Sequence, residues 1–444
     1  MRIHLIACGG AVMHNMTIAL HLKGNKITGS DDAIYEPARS RLDKYGLLPQ
    51  HMGWDADVIT PDLDAVILGM HAKIDNPELL RAQELGLKIY SFPEFIYENC
   101  KDKIRVVIGG SHGKTTTTAM IMHVLKTLNK SFDYMVGSQV QGFETMVSLT
   151  EEAPVIILEG DEYLSSPIDM RPKFHLYKPH IAMITGIAWD HINVFPTFEN
   201  YVEQFDIFVR TMEPGAKLFY YEKDEYLKTI AEKYPHVKSE TYNTPSYAID
   251  EENTTHILFG DKTYKMQIFG EHNLQNMEGA KMVCECLEIS NDTFYTAMQS
   301  FTGAAKRLEL IHESDNLIVY RDFAHSPSKL KSTVKAVKQQ YEDRRTIAVF
   351  ELHTFSSLDR NFLPQYLHSM DTADEAMVYF DEETLKQKNR TLDINEVKNN
   401  FGPNVKVFSD AKLLQEEIKR LIIKKSSVLL LMSSGTFGGM QWEF

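Results

Sequence analysis

With 444 residues, 43% of them hydrophobic and 24% charged, the chain has the make-up of a globular protein too long for one core. Its net charge of −14 argues against general attraction to a nucleic-acid backbone or an anionic membrane, so anionic ligands must be gripped locally, by helix N-termini, basic side chains and Mg²⁺. The cysteines, Cys8, Cys100, Cys284 and Cys286, form neither a disulfide framework nor a paired zinc pattern. No leader-like segment opens the sequence, and the most apolar late run, 428–432, is too short to cross a bilayer. The expected setting is a reducing cytoplasm, with no membrane insertion and no nucleic-acid partner; oligomeric state is left open.

Strand and helix text alternates from the start. Residues 3–7 read as a buried strand, Cys8-Gly9-Gly10 as a tight turn, and a helix is expected to about Lys23 before extended text resumes at 26–28. A third strand is expected at 65–68. Asn76-Pro77 then caps and opens a helix through Leu85, and 87–90 is a fourth strand. A second series starts near Ile104, with buried strands at 106–108, 155–158 and 181–184. Between 217 and 269 the text turns to short, tyrosine-rich segments with turn residues, which predict hairpins at an antiparallel margin. A third series begins near Arg307, with strands at 317–320, 346–350, 376–380, 405–408 and 428–432 and a helix face at Leu330, Val334, Val337 and Tyr341. Repeated βα units imply mostly parallel sheets. The expectation is an α/β protein of three domains in series: 1–103 Rossmann-like, 104–306 central with a mostly parallel sheet, and 307–444 again Rossmann-like.

The most telling segment is Gly109-Gly110-Ser111-His112-Gly113-Lys114-Thr115-Thr116, set between the apolar run 106–108 and a helix face at Ile121, Val124, Leu125 and Leu128. A glycine-rich turn feeding a helix N-terminus offers successive N–H groups and a helix dipole to phosphate. Lys114 is placed to reach the β/γ-phosphates of a nucleoside triphosphate, and the Thr115 hydroxyl to ligate Mg²⁺, which makes 104–306 a central P-loop ATPase domain. Ile108 stands where the full pattern has its first glycine, leaving the shorter G-x-x-G-K-T.

Other constellations follow the same sheet-edge logic. Cys8-Gly9-Gly10 is a poor dinucleotide fingerprint, since Ala11 and Met13 occupy glycine places. It still suits a pyrophosphate at a helix N-terminus, with Ser30 and Asp31 set to bond a sugar hydroxyl. Glu159-Gly160-Asp161-Glu162 ends a strand as either a solvated acidic turn or a Mg²⁺ site, an ion that needs only one or two carboxylates. Asp190-His191 follows the next strand, and His191 is a candidate ligand for a cation or a substrate carboxylate. Asn273 and Asn276, after His272, suit either the edge of adenine or a helix cap. Lys306-Arg307 and Asp322-Phe323-Ala324-His325 are either surface charge or contacts to phosphate and ribose.

Taken in order, these segments resemble the Mur ligase superfamily, ATP-dependent amide-forming ligases of peptidoglycan assembly. Residues 110–116 are similar to its phosphate loop and 159–162 to its acidic Mg²⁺ motif. Asp190-His191 fits its next strand end and 270–276 its adenine segment; 303–309, 322–325 and 433–439 are similar to third-domain signatures. Gly9 to Met13, Thr28 to Asp31 and Asn76 to Glu78 resemble members whose acceptor is UDP-N-acetylmuramate. Residues 30–37 and Asp161-Glu162-Tyr163 look closer to the recycling branch, the murein peptide ligases, than to the L-alanine-adding branch. Gly186, Arg321 and Ser326 depart from the usual asparagine, acidic residue and histidine.

The resemblance implies joining UDP-N-acetylmuramate to the peptide L-alanyl-γ-D-glutamyl-meso-diaminopimelate through an acyl phosphate, with ATP and Mg²⁺. It implies Lys114, Glu159 and His191 as catalytic, and Thr115, Glu159 and His191 at metal. Gly110, Ser111, His112, Gly113, Lys114, Thr115, Thr116, Asn273, Asn276, Arg307 and Asp322 fall to ATP, and Gly9, Gly10, Ser30 and Asp31 to the UDP-sugar. The C-terminal domain is expected to close over nucleotide and bind the incoming peptide. The rivals are L-alanine as the incoming amine, and a nucleotide-binding sensor that makes no bond.

Overall fold

A computed structural model describes residues 1–189, 194–304, 307–423 and 425–442. The chain folds as two compact units, one from 1–189, 194–243 and 279–297, the other from the remaining described residues.

The first unit holds two main sheets and the short hairpin of Leu164–Ser166 with Asp169–Pro172. The smaller main sheet is parallel throughout, ordered Lys26–Ser30, Arg2–Ile6, Ala65–Leu68, Ile89–Ser91. Its central strands are buried on both faces, as a sheet covered by helices on each side requires. Gly10 caps the helix Ala11–Leu22. Asn76 caps Pro77–Glu84 by accepting from the Glu78 and Leu79 N–H groups at 2.9 and 3.1 Å.

The larger sheet has seven strands, ordered Lys238–Tyr242, Lys217–Tyr221, Ile181–Ile184, Ile104–Gly109, Val155–Glu159, Asp133–Met135, Val147–Ser148; only the last runs antiparallel. Ile104–Gly109 is the middle strand, so the turn at its carboxyl end is flanked by the ends of Ile181–Ile184 and Val155–Glu159. Ligands of open α/β sheets bind at such an edge.

In the second unit, Tyr247–Ile249, Thr255–Phe259 and Lys262–Met266 make a small antiparallel sheet. A six-stranded sheet follows in the order Glu309–Glu313, Leu317–Asp322, Ser427–Met432, Arg345–Glu351, Glu375–Tyr379, Val405–Phe408, parallel except for its first strand. The helix Pro327–Gln340 buries Leu330, Val334 and Val337, the face read from sequence.

The α/β expectation with mostly parallel sheets is thus met, with one correction. Hairpins were expected across 217–269, but only 247–266 forms them; Lys217–Tyr221 and Lys238–Tyr242 join the parallel sheet with the helix Glu225–Lys233 between them. Leu218, Phe219 and Tyr220 are buried in succession, the mark of a two-faced parallel strand. Leu227 and Ile230 supply the helix face, with Asp224 as its cap. No helix among the described residues is long and apolar enough to cross a membrane.

Candidate active site

The phosphate turn is shaped by two glycines with positive φ, Gly110 at 120° and Gly113 at 82°. A side chain at Gly110 is impossible without rearrangement, because a Cβ there lies 2.2 Å from Thr185 Oγ1 and 2.8 Å from Thr185 N. Gly113 caps the helix Lys114–Thr127. The turn is tied to the neighbouring strand end: Ser111 N donates to Gly186 O at 2.9 Å, Thr185 N to Gly109 O at 3.0 Å, and the Thr185 hydroxyl to the His112 carbonyl. Backbone N–H groups at a helix N-terminus, held this rigidly, make an anion cradle.

Lys114 folds back over this cradle. Its ammonium donates to Gly110 O at 2.6 Å and to both oxygens of Glu162 at 2.7 and 3.0 Å. Burial works against the ammonium, but the carboxylates of Glu162, Asp161 and Glu159 outweigh it and hold the group above the ordinary lysine range. It is a fixed cation. Thr115 donates to Glu159 Oε1 at 3.0 Å, while Glu159 Oε2 accepts from Gly137 N at 3.0 Å. Burial pushes the Glu159 carboxyl up, opposed by Gly137, Lys114 and Thr115. A buried carboxylate beside a hydroxyl at the edge of an anion cradle is the hard-oxygen donor set that Mg²⁺ takes, so Thr115 and Glu159 fit that ion.

Two residues not singled out from sequence complete this network. Tyr201, buried on the helix Phe198–Arg210, donates to Glu162 Oε1 at 3.0 Å and lies 2.9 Å from Ser111 Oγ, whose other partner is Ala188 N at 2.8 Å. Thr185 is the other, pinning the turn from the adjacent strand. His191, Asp190 and Lys306 lie outside the described residues.

A cavity of about 180 Å³ opens beside Glu159 and Asp161, lined also by Gly10, Met13, Phe92 and Lys173. Gly9 N donates to Asp31 Oδ2 at 2.7 Å, and a Cβ at Gly9 would meet that oxygen at 2.9 Å. Asp31 therefore braces the turn. Ser30 differs from expectation: its hydroxyl bonds the buried Glu78, with His4 3.3 Å away, so it is committed to the interior rather than to a sugar.

In the second unit, the adenine candidates lie on the first turns of the helix Glu271–Cys286. Asn273 Nδ2 donates to Phe269 O at 2.9 Å, four residues back, which is not the accepting role of an N-cap, and both Asn273 and Asn276 are buried. A Cβ on Gly270 would lie 2.6 Å from that of Ala336, and a cavity of about 130 Å³ sits between His272 and Lys335. Burial pushes His272 down to about 4. Asp322 is buried and accepts from Leu308 N and Ala324 N, both at 2.7 Å, while the Arg307 guanidinium stacks on Phe323 at 5.0 Å.

Sequence comparison now bears on this geometry. Residues 2–103 match the Mur ligase family, catalytic domain; 108–284 the Mur ligase middle domain; and 306–435 the Mur ligase, glutamate ligase domain. The chain belongs to the Mur ligase family. Among its relatives is a UDP-N-acetylmuramate–L-alanine ligase of Desulfitobacterium hafniense, 26% identical over 85% of this chain and 84% of the relative. Another is the UDP-N-acetylmuramate–L-alanyl-gamma-D-glutamyl-meso-2,6-diaminoheptandioate ligase of Escherichia coli, 28% identical over 79% of each. The crystal structure of a murein peptide ligase from Psychrobacter arcticus superposes with a TM-score of 0.67 at 23% identity, covering 99% of this chain and 97% of that one, which establishes a shared fold. This Mur ligase therefore has the three-domain architecture expected of it and is an ATP- and Mg²⁺-dependent amide ligase releasing ADP and phosphate.

Proposed function

We propose that this Mur ligase joins UDP-N-acetylmuramate to L-alanyl-γ-D-glutamyl-meso-diaminopimelate. The observation that carries the chemistry is the paired arrangement of Lys114 with Glu162 and Thr115 with Glu159 at one sheet edge. Choice of acceptor and amine rests on the N-terminal residues 9–13 and 28–37, on Asp161-Glu162-Tyr163, and on the E. coli relative. Relatives named for L-alanine favour the other amine, and that is the second reading.

In the proposed reaction a carboxylate oxygen of the sugar's lactyl group attacks the γ-phosphorus of ATP, and ADP leaves. The amine nitrogen then attacks the acyl carbon, phosphate leaves, and the nitrogen loses a proton. Two anions must meet in the first half, so the barrier is mostly electrostatic. Lys114 neutralises charge on the terminal phosphates, and N–H groups of the 110–116 turn hold them in line. Thr115 and Glu159 would hold Mg²⁺, which would supply further charge neutralisation at the phosphates. His191 is proposed for a second cation or the substrate, Asn273 and Asn276 for adenine, Arg307 and Asp322 for the nucleotide, and Gly9, Gly10 and Asp31 for the UDP portion. Because the family is one of ligases, the sensor alternative is set aside.

The test supplies ATP, UDP-N-acetylmuramate and either the tripeptide or L-alanine, and follows ADP release. Faster turnover by at least tenfold with the tripeptide is the expected result; faster turnover with L-alanine would transfer the assignment to the other branch.

A further inference from the structure

The cavity beside Glu159 poses an electrostatic problem that the phosphate turn does not solve. The acceptor proposed above would bring a carboxylate into it, yet Glu159 and Asp161 form part of its wall. Lys114 is directed elsewhere, bonded to Glu162 and to the Gly110 carbonyl inside the turn. Among the described residues lining the cavity, Lys173 carries the one ammonium group.

Local structure aims it there. The strands Leu164–Ser166 and Asp169–Pro172 form a hairpin that returns the chain to the acidic segment. At its end Lys173 N donates to Tyr163 O at 3.0 Å and Phe174 N to Asp161 O at 3.1 Å. The ammonium then reaches Asp161 Oδ2 at 2.5 Å and lies over the rings of Phe92 and Tyr163, at 5.5 and 5.6 Å. Its side chain is only 13% exposed. Two aromatic faces and one carboxylate hold this cation in place while leaving it part of the cavity wall. Gly10, capping the helix Ala11–Leu22, lines the same cavity. One chamber thus combines a helix N-terminus suited to a diphosphate with an ammonium suited to a carboxylate.

We infer that Lys173 is the counter-cation for the reacting carboxylate of the acceptor, distinguishing an acidic sugar nucleotide from a neutral one. The inference rests on the acceptor named above and deepens it. An incoming carboxylate shares the ammonium with Asp161, which offsets the repulsion from Asp161 and leaves one carboxylate oxygen for attack.

The experiment compares wild type, Lys173→Met and Lys173→Arg. Steady-state kinetics are measured with UDP-N-acetylmuramate, and calorimetric binding with that nucleotide and with UDP-N-acetylglucosamine, which lacks the carboxylate. Lys173→Met is expected to raise KM for UDP-N-acetylmuramate at least tenfold, with KM for ATP changing less than threefold. It is expected to weaken binding of the acidic nucleotide while leaving the neutral one within threefold, and Lys173→Arg is expected to recover most of the loss. Equal weakening of both nucleotides would overturn the inference in favour of a packing role. Unchanged KM and binding in Lys173→Met would overturn it outright. Absence of turnover of UDP-N-acetylmuramate by wild type would instead remove the acceptor assignment itself.

Discussion

The hydroxyl of Tyr201 donates to Glu162 Oε1 at 3.0 Å and lies 2.9 Å from Ser111 Oγ, so one phenol joins the carboxylate that fixes Lys114 to the turn that cradles phosphate. Removing it leaves Glu162 and Ser111 short of a partner in a buried site, a loss of about 1–2 kcal/mol. Tyr201→Phe keeps the ring contacts with Phe195 and Phe205 at 5.5 and 5.3 Å. The expected outcome is a folded enzyme with kcat lowered about tenfold; unchanged kcat would show that the link does not hold Lys114 in its working position.

Gly110→Ala is expected to be far harsher. Both the positive φ and the 2.2 Å approach of a Cβ to Thr185 Oγ1 force the turn to move. Thermal unfolding should fall by several degrees, and amide formation by at least about a hundredfold, since displaced N–H groups no longer meet phosphate.

A milder change isolates the metal site. Thr115→Val removes the hydroxyl that donates to Glu159 at 3.0 Å, at nearly constant volume. The Mg²⁺ concentration for half-maximal rate should rise about tenfold, the scale of losing one ligand interaction. Thr115→Ser should restore it, and chelation of Mg²⁺ should abolish activity in all three proteins.

These sites differ in how far they could be read in advance. The phosphate turn was legible because its determinants are local: an apolar strand, glycines and a helix face lie within one βα unit. Tyr201 was not, because its partners Glu162 and Ser111 lie 39 and 90 residues away in sequence and only the fold brings them together. Ser30 misled for a related reason; the sequence places it after a strand, but its hydroxyl direction is set by Glu78, 48 residues on. The stretch 217–242 was misread because tyrosine favours any half-buried strand, and nothing local tells a two-faced parallel strand from a hairpin edge.

Stability should depend on acidity in a defined direction. Burial holds His175 down to about 4, with its ring bonded to the Gln204 carbonyl at 2.7 Å. Between about pH 6.5 and pH 4 the unfolded chain takes up a proton that the folded one refuses, so stability is complete above that window and falls as pH drops through it. The loss reaches about 3 kcal/mol at the lower end. His272, pushed down to about 4 as well, acts with the same sign. Urea unfolding of wild type should show midpoints falling across the window, and His175→Gln should flatten that slope; identical slopes would contradict the assignment.

The most direct test of carboxylate activation at this site follows an oxygen atom. UDP-N-acetylmuramate labelled with ¹⁸O in its lactyl carboxylate is turned over with ATP and the incoming amine, and the phosphate released is examined by mass. Attack on the γ-phosphorus predicts one ¹⁸O in each inorganic phosphate formed with ADP, and Lys114→Ala should release none. Phosphate free of label, or label found in a nucleotide monophosphate, would contradict phosphoryl transfer to the carboxylate at the 110–116 turn.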